Sequence, residues 1–438
     1  MKYFKTTLFV FLAVCLLQTA AWAQAQKVYK FADAEATDPN KMGWMQGFPP
    51  PSAKSVRIFN SSHYIFPRTR WSFSHWRELL PTKNVFRGTD SVSPLKANLK
   101  DLDGLAFKDA AGNDLTWRKS LDLTYTDGIL VLHKGKIVYE KYLGALSPEK
   151  PHIAFSVTKS YVGTLAAMFI AQGKLDPSAP VSLYIPELKD SGYGDATIRQ
   201  LLDMTTGVKF NEAYGAMGAE ITKYSDSMSP MTGCPGYKES KHIYEYLSTL
   251  QKESPHGEVF SYKTANTEIL AWVLKKVSGK TLADLLSESI WSKIGAEQDA
   301  YFAVDMVGTE HAGGGFNATL RDQARFADMM RQNGYYNGRQ IVPAAVVEDI
   351  ARNGNKEQFA RGTYAKSLKG WSYRNMWWIT NNEHGAYMAR GIYGQNIYID
   401  PKAQMVIVRF ASHPIAGSTA NDPVTLPAYM AVAKYLMQ

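Results

Sequence analysis

Cysteine is nearly absent. The 438 residues contain two, Cys15 and Cys234. Cys15 lies in an N-terminal apolar run, so removal of that run leaves one cysteine and no possible intrachain disulfide. Stability must then come from packing. The chain also lacks a dense basic run. Its 49 Lys and Arg against 40 Asp and Glu give a net charge of +9, but the charges are scattered, which argues against nucleic acid as a partner. Beyond the first residues, no apolar run reaches membrane-spanning length, so no span is expected in the mature chain. No repeat of solenoid or propeller period occurs. His133, His152, His256, His311, His384 and His413 show no ligand spacing, so neither a metal site nor a cofactor is expected.

What is present begins with the N-terminus. Lys2 and Lys5 precede the apolar run Leu8–Leu17, and Ala21-Trp22-Ala23 offers a small-x-small cleavage site before Gln24. This is the pattern of a secretory signal peptide over residues 1–23, with a periplasmic or secreted product. Val14 is bulky where a lipoprotein signal wants a small residue before Cys15. Residues 24–94 are irregular and rich in Pro, Trp and Phe, too aromatic for a disordered tail. They read as an arm packed over the body, at a pocket rim.

Further on, Gly128–His133 and Ile137–Tyr142 read as a β-hairpin across Lys134-Gly135-Lys136. Ser156–Gln172 has helical apolar spacing and stops at Gly173. Helices are expected at 195–204, 267–278, 281–293, 319–333 and 426–437, strands at 373–379, 386–389, 395–400 and 404–410, a loop-rich stretch at 208–260, and a flexible loop at Gly313-Gly314-Gly315. Strands therefore group at both ends and helices in the middle, the pattern of an α+β fold with an antiparallel sheet. The expected division is a sheet domain of residues 95–174 and 301–438, with a mainly helical region at 175–300.

Three features carry chemistry. In Phe155-Ser156-Val157-Thr158-Lys159, the serine and lysine are three residues apart, on one face of a helix. A serine hydroxyl becomes a nucleophile when a neighbouring base takes its proton, and a buried lysine at a helix start can be neutral enough to do so. Tyr262, in Phe260-Ser261-Tyr262-Lys263-Thr264, sits beside a lysine and could act as base or relay a proton. Gly391-Ile392, at a strand entry, could present one of the two amides that acyl transfer needs for its oxyanion, the Ser156 amide being the other.

Together, Ser156-x-x-Lys159, Tyr262 about a hundred residues on and the glycine-bearing strand near the C-terminus resemble the serine β-lactamase and penicillin-recognising superfamily. The resemblance is strongest to its class C branch, with family VIII esterases and 6-aminohexanoate-dimer hydrolases. The last group is matched through Met204-Thr205-Thr206-Gly207, Phe210-Asn211-Glu212-Ala213-Tyr214, Arg321-Asp322-Gln323-Ala324-Arg325, Trp377-Trp378 and Gly391-Ile392-Tyr393-Gly394-Gln395. The resemblance implies a β-lactamase/transpeptidase-like fold, an antiparallel sheet flanked by helices. It implies Ser156 as nucleophile, Lys159 as general base, Tyr262 as proton relay, and the amides of Ser156 and Ile392 as oxyanion hole. Tyr214, Thr264 and Trp378 match substrate-contacting positions, with Gly391 and Tyr393 beside them. The substrate would be a small amide or ester, cleaved through an acyl-serine.

The chain departs from that pattern in three places. Thr264 stands where β-lactamases have asparagine, and Ala389-Arg390-Gly391 where they have Lys-Thr-Gly. Both weaken the case for efficient β-lactam hydrolysis. Tyr393 replaces a histidine of the nylon-oligomer hydrolases. Those enzymes hold the substrate amine with an acid near position 225, for which Asp226 and Glu220 are the candidates here. A family VIII-type carboxylesterase, a penicillin-binding DD-carboxypeptidase and a non-turning-over acylatable sensor are the competing readings.

Overall fold

The computed structural model describes residues 31–58, 61–214, 218–229 and 242–438. The expected signal segment and Cys234 lie outside them. The expected α+β architecture is present in the unit Ala34–Gln438. Its centre is a seven-stranded antiparallel sheet. In spatial order the strands are Ser372–Arg374, Trp377–Ile379, Tyr387–Gly391, Gln395–Asp400, Met405–Ala411, Thr126–His133 and Lys136–Tyr142. Met405 pairs with His133 and Ala411 with Thr126, so early and late segments of the chain meet in mid-sheet. Every residue of Met405–Ala411 is buried. Its near-continuous apolar run, rather than an alternating one, is what a strand covered on both faces requires. The helix Leu320–Arg331 packs against this strand and its two neighbours. Lys134 and Gly135 both have positive φ, 52° and 75°, the two-residue turn that matches strand twist in a hairpin.

The helix Val157–Ala171 is the central buried element. Thirteen of its fifteen residues, Val157 through Phe169, are buried, as expected of a helix apolar all round. It ends as expected, Gly173 taking φ 69° and donating to the Ile170 carbonyl.

Four expectations change. The strand expected at 373–379 is a tight hairpin of two short strands, turned at Asn375 and Met376, with φ 48° and 65°. Neighbours hold that turn. Ser160 Oγ donates to the Met376 carbonyl (2.8 Å), Arg199 donates to Asn375 Oδ1 (2.6 Å), and the Asn375 amide donates to Asp203 (3.1 Å). The loop-rich stretch contains two helices, Glu220–Ser227 and Ile243–Thr249. The helix expected from residue 267 spans Thr264–Ser278, its first-turn amide at Thr264 donating to the Glu212 carboxylate. A cap supplied from a distant loop leaves no local sequence signal. The C-terminal helix begins at Asp422 rather than 426 and accommodates Pro427.

The central helix meets the 375–376 turn at Gly163. A Cβ there would lie 2.2 Å from the Asn375 carbonyl oxygen and 2.6 Å from Met376 Cβ. Alanine in place of a mid-helix glycine gains about 1 kcal/mol of propensity. Overpacking against a fixed backbone costs about 1–3 kcal/mol, and no rotamer change relieves a clash with a carbonyl. Gly163→Ala should therefore lower the urea midpoint of unfolding. A raised midpoint would show that the turn yields.

Candidate active site

Ser156 stands at the N-terminus of the central helix, at its N-cap position. The residue before it, Phe155, has φ 45°, a left-handed conformation that costs a bulky residue roughly 1–3 kcal/mol. An aromatic cluster holds it there. Phe73, Tyr393 and Trp76 have ring centroids 4.9, 5.3 and 6.0 Å from that of Phe155. The Phe155 carbonyl accepts from Thr158 Oγ1 at 2.5 Å, and the Ala154 amide donates to the Phe316 carbonyl at 2.8 Å. The N-terminal arm, expected at the pocket rim, contributes none of the cavity's lining residues. Through Phe73 and Trp76 it instead backs the turn that presents Ser156.

Lys159 Nζ lies 2.9 Å from Ser156 Oγ and donates to the Gly313 carbonyl at 2.5 Å. The side chain is almost wholly buried. Burial pushes its pKa down to about 8, against the nearby charges of Glu212 and Glu268, which act upward. Tyr262 packs over the same amine, its ring centroid 5.1 Å from Nζ. Burial raises its pKa well above the usual phenol value, while Ser156, a hydrogen-bonding neighbour, acts downward. Tyr262 therefore keeps its proton at neutral pH. The lysine beside it in sequence plays no part in this, because Lys263 turns away to the Val208 carbonyl and Glu253. Tyr262 borders Lys159, not Lys263.

The strand Tyr387–Gly391 ends against Ser156. A Cβ on Gly391 would lie 2.6 Å from the Ala154 carbonyl oxygen and 3.2 Å from the Ser156 amide nitrogen. Only glycine fits this approach, and Ile392 follows at the cavity wall. Ser156, Glu212, Tyr214, Tyr262, Tyr364, Trp378, Arg390, Gly391, Ile392, Gly417 and Ser418 line a cavity of about 170 Å³. Trp378 is its aromatic wall, with Tyr364, Tyr373 and Tyr262 at centroid distances of 5.1, 5.2 and 5.4 Å.

Of the expected site residues, Ser156, Tyr262, Ile392, Tyr214, Trp378 and Gly391 line the cavity, and Lys159 reaches Ser156 from beneath. Thr264 does not line it; its buried side chain lies over Gly313 and its amide binds Glu212. Tyr393 does not line it either; it stacks into the Phe73–Phe155 cluster with φ 63°. Asp226 and Glu220 sit on Glu220–Ser227 and are absent from the lining. The carboxylate that borders the cavity is Glu212, which accepts from Tyr214 Oη at 3.1 Å.

Sequence reasoning did not place Glu212, Tyr364, Gly417 or Ser418 at the site, and it named Arg390 only as a departure from the β-lactamase strand. Arg390 stands in the place of the threonine of the β-lactamases' Lys-Thr-Gly strand. Its Nη2 lies 2.7 and 2.6 Å from the two oxygens of Asp422, and its guanidinium lies 5.0 Å from the Trp378 ring centroid. Its Nη2 is paired with Asp422, while its buried Nε and Nη1 have no hydrogen-bond partner among the described residues. The Gly313-Gly314-Gly315 loop, expected to be flexible, is buried and tied down. The amides of Ala312 and Gly313 donate to Glu268, and the Phe316 amide donates to Thr158 Oγ1. Among the described residues no group of three His, Cys, Asp or Glu could hold a metal, and no helix is long and apolar enough to cross a membrane.

Comparison with known proteins agrees with this geometry. The chain is 36% identical to a 6-aminohexanoate-dimer hydrolase of Paenarthrobacter ureafaciens, over 80% of this chain and 86% of that one. A solved structure of a candidate 6-aminohexanoate-dimer hydrolase from Bacillus anthracis superposes with a TM-score of 0.78 at 34% identity, covering 86% of this chain and 96% of the other. EstCE1, a hydrolase with promiscuous acyltransferase activity, shares the fold at a TM-score of 0.58 and 16% identity, over 72% of this chain and 96% of its own. Residues 126–425 match the Beta-lactamase family, and the chain belongs to it, as a serine hydrolase.

Proposed function

We propose that the protein hydrolyses small linear amides of the 6-aminohexanoate-dimer type, and short acyl esters as a side activity, through an acyl-Ser156 intermediate. The observation that carries this reading is the contact of Ser156 Oγ with a buried lysine amine at 2.9 Å. A pKa near 8 leaves roughly a tenth of that amine neutral at pH 7. The neutral amine takes the serine proton as Oγ attacks the carbonyl. The amides of Ser156 and Ile392 receive the developing oxyanion. Tyr262, protonated at neutral pH, hands its proton to the leaving amine and recovers one from Lys159. Water then enters, deprotonated through the same pair, and releases the acid.

The relative's named substrate supports the choice of a linear amide with a free amine. Glu212 gives the small cavity a carboxylate with lone pairs left to accept an ammonium. Arg390 is paired with Asp422 through Nη2, which weakens its pull on the carboxylate of a β-lactam. We also propose that the protein is exported, on the strength of the charged start, apolar run and Ala21-Trp22-Ala23 site.

The decisive experiment is intact-mass spectrometry with a p-nitrophenyl acyl ester and, separately, the 6-aminohexanoate dimer, with product release followed alongside. A Ser156 adduct with steady dimer turnover is expected. Ester turnover alone would point to a carboxylesterase, D-alanine release from a cell-wall peptide to a carboxypeptidase, and an adduct without turnover to a sensor. Ser156→Ala should abolish turnover in a folded protein. Lys159→Ala and Tyr262→Phe should each slow it by about two to four orders of magnitude; undiminished amide hydrolysis by Tyr262→Phe would remove the relay. The neutral amine is the working form, so kcat/KM should rise with pH until about 8 and then level. A profile flat between pH 6 and 9 would count against Lys159 as base.

A further inference from the structure

Glu268 is buried to within 1% of full burial, on the helix that follows Tyr262, and the mechanism above gives it no part. Its Oε1 accepts from Tyr224 Oη at 2.5 Å and from the Gly313 amide at 2.6 Å; its Oε2 accepts from the Ala312 amide at 3.1 Å. The same Gly313 offers its carbonyl to Lys159 Nζ at 2.5 Å. One residue, Gly313, thus links the carboxylate to the acceptor of the amine. The space is closed around it: a Cβ on Gly313 would lie 2.3 Å from Thr264 Cγ2, 3.0 Å from Glu268 Oε1 and 3.0 Å from Tyr224 Oη.

A neutral amine has two hydrogens and one lone pair. A hydrogen given to a fixed carbonyl restricts where the lone pair can point. We infer that Glu268 is a positioning residue for Lys159: by gripping the Ala312 and Gly313 amides it fixes the Gly313 carbonyl, and that carbonyl turns the amine's lone pair toward Ser156. This rests on the reading of Lys159 as general base.

A glutamate is a costly way to tie down a loop, since burying an ionised carboxylate costs several kcal/mol unless it is well satisfied. Its charge also reaches the site. Glu268 raises the pKa of Lys159 from one side and Glu212 from another. Around Glu268 stand Tyr224 from Glu220–Ser227, Tyr244 from Ile243–Thr249, His311 from the glycine loop and Lys159 from the central helix. Burial, with Lys159 close by, pushes His311 down to about 3, so it stays neutral. Burial also raises Glu268 to about 7 against its donors and Lys159.

The test is ester hydrolysis by Glu268→Gln and Glu268→Asp, with the acylation burst, KM and the pH profile of kcat/KM measured. Glutamine keeps the shape and removes the charge. It should slow acylation about 10- to 100-fold at nearly unchanged KM. It should also move the acid limb of the profile to lower pH, because the ammonium loses a stabilising neighbour. Aspartate keeps the charge and loses one methylene of reach. It should slow acylation with the acid limb left in place. Wild-type acylation rate and acid limb in a folded Glu268→Gln protein would overturn the inference. Should Glu268→Gln fail to fold, unimpaired acylation by Glu268→Asp would overturn it equally. Undiminished turnover by Lys159→Ala would remove the base reading itself, and this inference with it.

Discussion

The site depends on taking one amine out of water. Lys159 is buried beneath Ser156, and desolvation moves its pKa from the usual lysine value to about 8. That net shift corresponds to roughly 3 kcal/mol between the amine's two protonation states, after two carboxylates have offset part of the desolvation. Lowered much further, the amine would be neutral but too weak a base for a serine hydroxyl. Left at the surface, it would be an ammonium with no lone pair to offer. The central helix must therefore be apolar on every face, and the sheet must cover it.

The surroundings of Ser156 show how that burial becomes a geometry. Phe155 holds a left-handed backbone only because Phe73, Trp76 and Tyr393 surround its ring. Thr158, the second residue of the helix, ties the Phe155 carbonyl and the Phe316 amide together. The strain is local, and the packing that offsets it comes from the N-terminal arm, the helix start and the turn that follows the strand Tyr387–Gly391. Segments far apart in sequence thus converge behind one serine. Such a site is held by rigid elements, which is what acyl transfer asks of its donors.

Elements with their own periodicity or turn chemistry were legible in the sequence. The hairpin across Lys134-Gly135, the central helix to Gly173 and the helix capped by Thr319 follow from local pattern, and the structure places them within a few residues. The pairing of Ser156 with Lys159 follows from helical spacing. The hairpin at Asn375-Met376 does not. Its turn is fixed by Ser160, Arg199 and Asp203, and a methionine at φ 65° has no sequence signature. Nor does the helix start at Thr264, whose amide is met by Glu212. Resemblance carried Asp226, Thr264 and Tyr393 toward the substrate, and the structure places none of the three in the cavity lining. One legible sign went unread. Helix residues Thr264–Leu274 are all buried, and a glutamate inside such an apolar run must have partners.

The charges that border this cavity are unevenly paired. Arg390 occupies a strand position where a free cation would attract a carboxylate, but Asp422 already pairs with its Nη2, and the Trp371 and Trp378 rings lie beside it, while its buried Nε and Nη1 have no hydrogen-bond partner among the described residues. Glu212 is anchored by Tyr214 Oη and the Thr264 amide, neither of which is a cation. The cavity therefore presents an acid and aromatic walls to whatever enters, and opposite charge placed there by a ligand is worth most where water is excluded. Glu212 would repel an anionic substrate, whereas a chain ending in an ammonium would pair with it. The same carboxylate raises the pKa of Lys159. A bound ammonium beside Glu212 would offset that effect and favour the neutral amine, so binding of such a substrate would itself bring the base closer to its working form.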